Sequence, residues 1–413
     1  MAVGIIAEYN PFHNGHRYML TQIKKTYREG IIICMSGSTT QRGELALLNK
    51  WQRAQIAVQN GADLVIELPT AFACRSAQDF ASGGVRLLSS LGVTDTLAFG
   101  TEHPDLALLQ SAAAFQPESY PGELQQKLKA GHSYGSALSQ LISEKVHIPS
   151  EMLREPNTIL AVEYLRAIQK YSPLLTPLPI LRRGAGHNAA APAGSFASGT
   201  AIRKLVYDGS SEAAAGLVPD DLLAELRHTS CYPSDESLYR LIRWQLLTLS
   251  PAGISRICGV NEGLEYKLHQ AVKCPSLPAL LQEAATRRYP ATRIRRLLLH
   301  LLLNFTQETA DAMDAAGPLY IRVLAFDTEG RRLLRDIQQK SRLPVITKSA
   351  AFLNRLTLRQ PDAFTPLQQM LYLDISAANL RELCCAPLAP SLEKEAATPQ
   401  LYADLTVSPL YIP

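Results

Sequence analysis

Near the start of this 413-residue chain, His13, Asn14, Gly15 and His16 form an H-x-G-H group. Two imidazoles three residues apart at the beginning of a helix can point the same way. Gly15 has no Cβ, so a phosphate can come close to the backbone there. Paired imidazoles above a phosphate chain can donate hydrogen bonds to charge that builds up in a transition state. A helix N-terminus adds unpaired N–H groups and a partial positive charge, which together make an anion site. The bland alternative is that His13 and His16 only cap or pad the first helix.

That chemistry needs a strand to end just before the histidines. Val3 to Ala7 is a short apolar run that reads as a buried parallel strand. Glu8-Tyr9-Asn10-Pro11 is a turn cluster, and a helical pattern runs from Tyr18 to about Tyr27. Further strands are expected at Gly30 to Met35, Leu64 to Leu68, Thr96 to Phe99 and Leu174 to Leu181. Helices are expected between them, one from about Asn49 to Gln59 with Lys50 and Arg53 on its polar side, another from Ala77 to Leu91. Strands alternating with helices imply right-handed β-α-β units and a parallel, Rossmann-like sheet. Ligands sit beyond the carboxyl ends of such strands. Glu8 to His16, Ser36 to Arg42, Gly100 to Glu102 and Arg182-Arg183 all fall there, so they converge if the sheet forms.

The rest of the chain is read more coarsely. Gly184 to Ser195 is a glycine- and alanine-rich loop suited to a lid or a tRNA-facing role. Ser198-Gly199-Thr200 precedes a helix and offers N-capping hydroxyls. From residue 211 the pattern is mainly helical, with Trp244 expected in its core and a proline-rich tail from Ala386 wrapping it. Thr286 to Phe305 is the most basic stretch, carrying Arg287, Arg288, Arg293, Arg295 and Arg296. Such a cluster can neutralise RNA phosphates, with Tyr289 adding stacking; a solvated helix face is the competing reading. The expected division is therefore residues 1–210, a catalytic α/β domain, and 211–413, a mainly α-helical region.

Composition sets outer bounds. Hydrophobic residues make up 46% and charged residues 19%, an ordinary globular balance, and the formal net charge of +4 permits an RNA partner without demanding one. Seven scattered cysteines without a C-x-x-C argue against a disulfide framework or a zinc site, and favour a reducing cytoplasm. The first residues already read as a strand, so no signal peptide is expected. The apolar run Leu297 to Phe305 is interrupted by His300 and Asn304, so no membrane association is expected.

An H-x-G-H that ends the first strand, with Asn10-Pro11-Phe12 before it, resembles the signature of the nucleotidyltransferase superfamily. In that superfamily the α-phosphate of ATP is attacked and pyrophosphate leaves. Ser198, Thr200 and Arg203 resemble its second signature, a turn that helps hold the triphosphate. The match narrows across Glu8 to His16, Met35-Ser36-Gly37, Gln41-Arg42-Gly43-Glu44, Asp63 to Pro69, Phe99 to Glu102, Glu155 to Leu160 and Tyr320 to Leu324. Together these resemble the bacterial tRNA(Met) cytidine acetate ligases. The resemblance implies that ATP, with Mg²⁺, activates acetate as acetyl-adenylate. The acetyl group then passes to N4 of the wobble cytidine of elongator tRNA(Met). It also implies His13 and His16 as catalytic groups. The implied ATP site is Ile6, Ala7, Glu8, Tyr9, Asn10, Pro11, Phe12, His13, Asn14, Gly15, His16, Arg17, Tyr18, Met19, Gly100, Asn157, Arg182 or Arg183, Ser198 and Thr200. Two rivals stay open at this level: an adenylyltransferase making a dinucleotide coenzyme precursor, and a non-catalytic RNA-binding module on the same scaffold.

Overall fold

The computed structural model describes residues 1–132, 134–182, 196–387 and 399–413. Its strands are β1 (Ala2–Ala7), β2 (Gly30–Ser36), β3 (Leu64–Leu68), β4 (Thr94–Thr101), β5 (Thr176–Leu181), β6 (Cys231–Pro233), β7 (Ile321–Phe326), β8 (Val345–Ile346), β9 (Cys385–Pro387) and β10 (Leu410–Tyr411). Helices α1 (Asn14–Thr26) and α2 (Lys50–Gln59) follow β1 and β2. The main sheet has eight strands, in the order β10-β7-β3-β2-β1-β4-β5, with β8 also paired to β7, at Ile321 and Arg322. Within it β3-β2-β1-β4-β5 is the parallel doubly wound core, and the order reverses at β1.

Alternate residues of the central strands feed two cores. Ile6, Ile32, Cys34 and Ile66 face one layer with the helices Ala77–Ser90 and Pro156–Tyr171. Val3, Ile5, Ile31, Ile33 and Val65 face the other, against Leu20 and Ile23 of α1 and Ala54 and Ala57 of α2. This two-residue period buries both faces, which is why these strands are nearly all apolar. A third core lies among helices that include Asp235–Thr248, Leu277–Ala284 and Ala291–Leu302, and it takes in Leu45 and Cys74 from the first half of the chain.

Several expectations are corrected. The sheet does not end near residue 210: β7 returns from the helical region and pairs antiparallel with β3, placing Arg322 opposite Glu67. Lys50 and Arg53 are not on a polar face but are 2% and 1% exposed. Trp244 is not in the core; it is 66% exposed, because Leu238, Ile242 and Leu246 already fill the inward stripe of its helix. The helix expected from Tyr18 begins at Asn14, because His13 caps it. The loop 184–195 and residues 388–398 of the proline-rich tail lie outside the described residues, while the end of that tail joins the main sheet as β10. All seven cysteines are unbridged, and among the described residues no helix is long and apolar enough to cross a membrane.

Candidate active site

The site is built first by the turn between β1 and α1. Tyr9 takes a left-handed backbone (φ 48) and turns the chain away from the strand. His13 then caps α1: its Nδ1 accepts the Gly15 N–H at 3.1 Å, and His16 Nδ1 accepts the His13 N–H at 3.2 Å. The two rings stack with centroids 3.6 Å apart. A Cβ on Gly15 would lie 2.9 Å from the His13 ring, so the stack needs glycine there. Because each neutral imidazole accepts at Nδ1, its proton sits on Nε2. Capping and chemistry are therefore not alternatives: the cap fixes the tautomer that makes both rings donors toward a phosphate.

Most of the expected nucleotide residues share one cavity of about 420 Å³, formed by Ile6, Ala7, Glu8, Tyr9, Asn10, Pro11, His13, His16, Met19, Gly100, Asn157, Arg182, Ser198 and Thr200, with further residues named below. It opens where β1 and β4 diverge, the reversal point of the strand order. Five expected residues do not line it. Phe12 is a core side chain; Asn14 donates to Gly216 O at 2.8 Å; Gly15 serves the cap; Arg17 faces solvent; Tyr18 packs edge-on against Phe196. Arg183 lies outside the described residues.

Polar groups in this cavity are held by a surrounding set of bonds. Glu102 accepts from Asn157 Nδ2 at 2.5 Å and from Thr158 Oγ1 at 3.2 Å, orienting the Asn157 amide. Ser198 Oγ caps its helix by accepting the Ala201 N–H at 3.1 Å. Arg203 donates to Asn10 O at 2.7 Å and to Thr200 Oγ1 at 3.3 Å, and pairs with Glu44 at 3.0 Å. Asn10 Oδ1 accepts from Leu47 N at 2.8 Å, while its Nδ2, buried at the cavity, has no partner among the described residues. An unpaired buried donor is costly and marks a place for a ligand acceptor. Burial pushes the Glu8 carboxyl up, although the Gln41 N–H, 2.6 Å from Oε1, pulls it back. Burial likewise lowers the Arg182 guanidinium, with Glu102 opposing.

Gln41, Arg42, Glu44, Phe80, Phe99, Tyr164, Thr292 and Arg296 also line the cavity and were not in the expected nucleotide set. Arg296 is the notable one, since its sequence context reads as an RNA-facing patch. Arg296 Nη1 donates to Gln41 O at 3.2 Å, and Arg295 Nε donates to Gly43 O at 3.2 Å. Gly43 (φ 77) would place a Cβ 2.6 Å from Arg296 N, so the loop and the Ala291–Leu302 helix meet backbone to backbone. The patch therefore splits. Arg287 and Arg288 are exposed, Arg293 lies over the Tyr289 ring at 4.2 Å, and Arg295 and Arg296 pin the loop over the cavity. Tyr289 is buried, its hydroxyl bonded to Asn261, so its ring is not offered for stacking.

A doubly wound sheet with paired imidazoles at its reversal point defines a nucleotidyltransferase-type domain, and the HIGH Nucleotidyl Transferase family model matches residues 1–395. The tRNA(Met) cytidine acetate ligase of Thermoanaerobacter sp. (strain X514) is 37% identical over 92% of this chain and 97% of its own length. That of Syntrophomonas wolfei subsp. wolfei is 35% identical over 99% of both chains. Among solved structures, Thermotoga maritima TmcAL superposes with a TM-score of 0.87 in its apo form and 0.84 bound with alpha-thio ATP, at 30% identity and 100% coverage of this chain. Each TmcAL chain is itself 99% covered. The chain belongs to the tRNA(Met) cytidine acetate ligase family.

Proposed function

We propose that this chain joins acetate to ATP as acetyl-adenylate, releasing pyrophosphate, and then passes the acetyl group to N4 of the wobble cytidine of elongator tRNA(Met), releasing AMP. The observation that carries this reading is the cavity at the β1/β4 divergence, where donors from three separate stretches face one space: Asn10, His13 and His16 of the β1–α1 turn, Arg182 and Arg203.

Acetate is a poor electrophile because its leaving group would be oxide; adenylation supplies AMP as the leaving group instead. Two anions, carboxylate and triphosphate, must be held against their repulsion. The histidine Nε2–H groups and the α1 N-terminus stabilise the charge that grows on the phosphates as a carboxylate oxygen attacks the α-phosphorus. Arg182 and Arg203 offset the remaining negative charge, and Asn157 orients the nucleotide. Mg²⁺ would arrive with the triphosphate and offset phosphate charge, and Glu8, a carboxylate lining the cavity, is the residue that would hold it; among the described residues no group of three or more His, Cys, Asp and Glu forms a cage for it. The division at residue 210 is read functionally: the first part supplies most of the groups that activate acetate, and the second adds Thr292 and Arg296 to that cavity and presents Arg287, Arg288 and Arg293 to tRNA phosphates. Such an enzyme works in the cytoplasm, where its tRNA is.

The test is incubation with ATP, labelled acetate and total tRNA. Label in a single tRNA species is expected. Pyrophosphate release with no label in tRNA would instead favour a small-molecule adenylyl acceptor.

A further inference from the structure

A second cavity, about 510 Å³, adjoins the first and shares Glu44 and Arg203 with it. Its other walls include Tyr207, Tyr232, Ser234, Asp235 and Arg295. We propose that this second cavity receives the acceptor base, a cytidine lifted out of its strand, with the exocyclic amine turned toward the Glu44–Arg203 wall. This inference rests on the acetyl-transfer reading above.

Three observations carry it. A reaction between a bound acyl-adenylate and an amine needs two compartments that meet at one wall, and these two meet at an ion pair of 3.0 Å. The volume lies in the range that encloses nucleotide-sized ligands. The walls also suit a pyrimidine. Tyr207 is 43% exposed, yet its hydroxyl donates to Pro233 O at 2.9 Å and its ring meets Tyr232 edge-on, so a fixed aromatic face is presented. Aromatic faces are what hold unstacked bases. Beside it, Arg295 and Asp235 form an ion pair across the cavity wall, a donor and an acceptor side by side. A cytosine edge presents one donor, N4, and two acceptors, N3 and O2, which such a pair can read.

The shared wall then has a task. The N4 lone pair forms the new C–N bond to the acetyl carbonyl carbon. The bond from that carbon to the AMP phosphate oxygen breaks, and its electron pair leaves with AMP. One N4 proton must go, and the Glu44 carboxylate takes it and returns it to solvent.

Tyr207 touches only the second cavity, so its variants separate the half-reactions. Tyr207→Ala should lower kcat/KM for acetyl transfer to tRNA by about 10- to 100-fold, the worth of one base-stacking platform. Acetate-dependent ATP–pyrophosphate exchange should stay at the wild-type rate, and Tyr207→Phe, which keeps the ring and its edge contact with Tyr232 but not the bond to Pro233 O, should lose less transfer than Tyr207→Ala. Unchanged transfer in Tyr207→Ala overturns the proposal, as does loss of exchange in step with transfer in a variant that melts like wild type. Should Tyr207→Ala not fold, competition on the unaltered enzyme decides: cytidine should inhibit transfer against tRNA more strongly than uridine, and equal inhibition overturns the assignment. A wild-type enzyme with no exchange at all would instead sink the underlying acetyl-transfer reading.

Discussion

Two clusters of charge sit on the same sheet and behave in opposite ways. At the divergence of β1 and β4, Glu8, Arg182 and Arg203 face a cavity, and the Asn10 amide beside them has a donor with no partner among the described residues. Between β3 and β7 the charges are sealed from water. Lys50 Nζ lies 2.9 Å from Glu67 and 2.7 Å from Asp404, Arg322 lies 2.6 Å from Asp404, and Tyr320 donates to Asp374, which also accepts the Thr70 N–H at 2.7 Å. The second cluster directs most of its charges at one another, only Arg322 Nη1 and Asp404 Oδ2 of these groups lacking a partner among the described residues, and it ties β3, β7, the Pro366–Leu383 helix and the C-terminal segment together. The first leaves bonding capacity aimed at empty space. Identical residue types thus serve as a clamp in one place and as a receptor in the other, and what separates them is whether the partners come from the protein or from a ligand. Arg53 lies between the two: its guanidinium donates to Leu48 O and Glu8 O and feels the charges of both Glu67 and Glu8, while burial lowers it to about 9.

The contrast can be broken from either side. Arg322→Met strands Asp404 and Glu67 with a single buried cation, so it should cost about 3–5 kcal/mol of stability, measured by denaturant unfolding, while the folded fraction keeps its affinity for ATP. His16→Ala should do the reverse. Adenylate formation should fall by about 10²- to 10³-fold, as for loss of one transition-state donor. Its stability should change by only about 0.5–2 kcal/mol, the worth of a helix cap.

Asp374 sharpens the comparison by its pH dependence. Burial, then the neighbouring Glu67 charge, raises its carboxyl to about 7. Protonated, it leaves two cations facing two anions in the clamp. A carboxyl whose folded value lies above its unfolded one favours the folded state at low pH, and loses that contribution as pH rises through 7. Asp374→Asn keeps a side-chain acceptor, so it should flatten the fall in Tm expected for wild type between about pH 4 and 7. The smallest effect is expected outside both clusters: Arg288→Gln should lower the salt slope of tRNA binding by about 1, and an unaltered slope would make that arginine a solvated surface group.

The receptor was largely legible in the chain, because strand, turn, imidazoles and helix follow one another within residues 2–26, and the remaining contributors are strand ends of one sheet. The clamp was not. Lys50 and Arg53 fall in a run whose polarity fits a surface face, and the partners that bury Lys50 include Asp404, far along the chain. Trp244 misled for the converse reason: aromatic character argues for burial, but the stripe of Leu238, Ile242 and Leu246 had already taken the inward positions. Arg296 was hidden by its own neighbours, since five arginines in one stretch share a sequence pattern yet divide in space between solvent, Tyr289 and the loop over the cavity.

The most direct test follows an oxygen atom. With acetate carrying ¹⁸O in both carboxylate positions, attack on the α-phosphorus and later acetyl transfer leave one labelled oxygen in AMP, visible by mass spectrometry. One ¹⁸O per AMP formed is the predicted result. Label in inorganic phosphate or pyrophosphate, with AMP unlabelled, would contradict a nucleotide held by His13 and His16 for attack at its inner phosphorus.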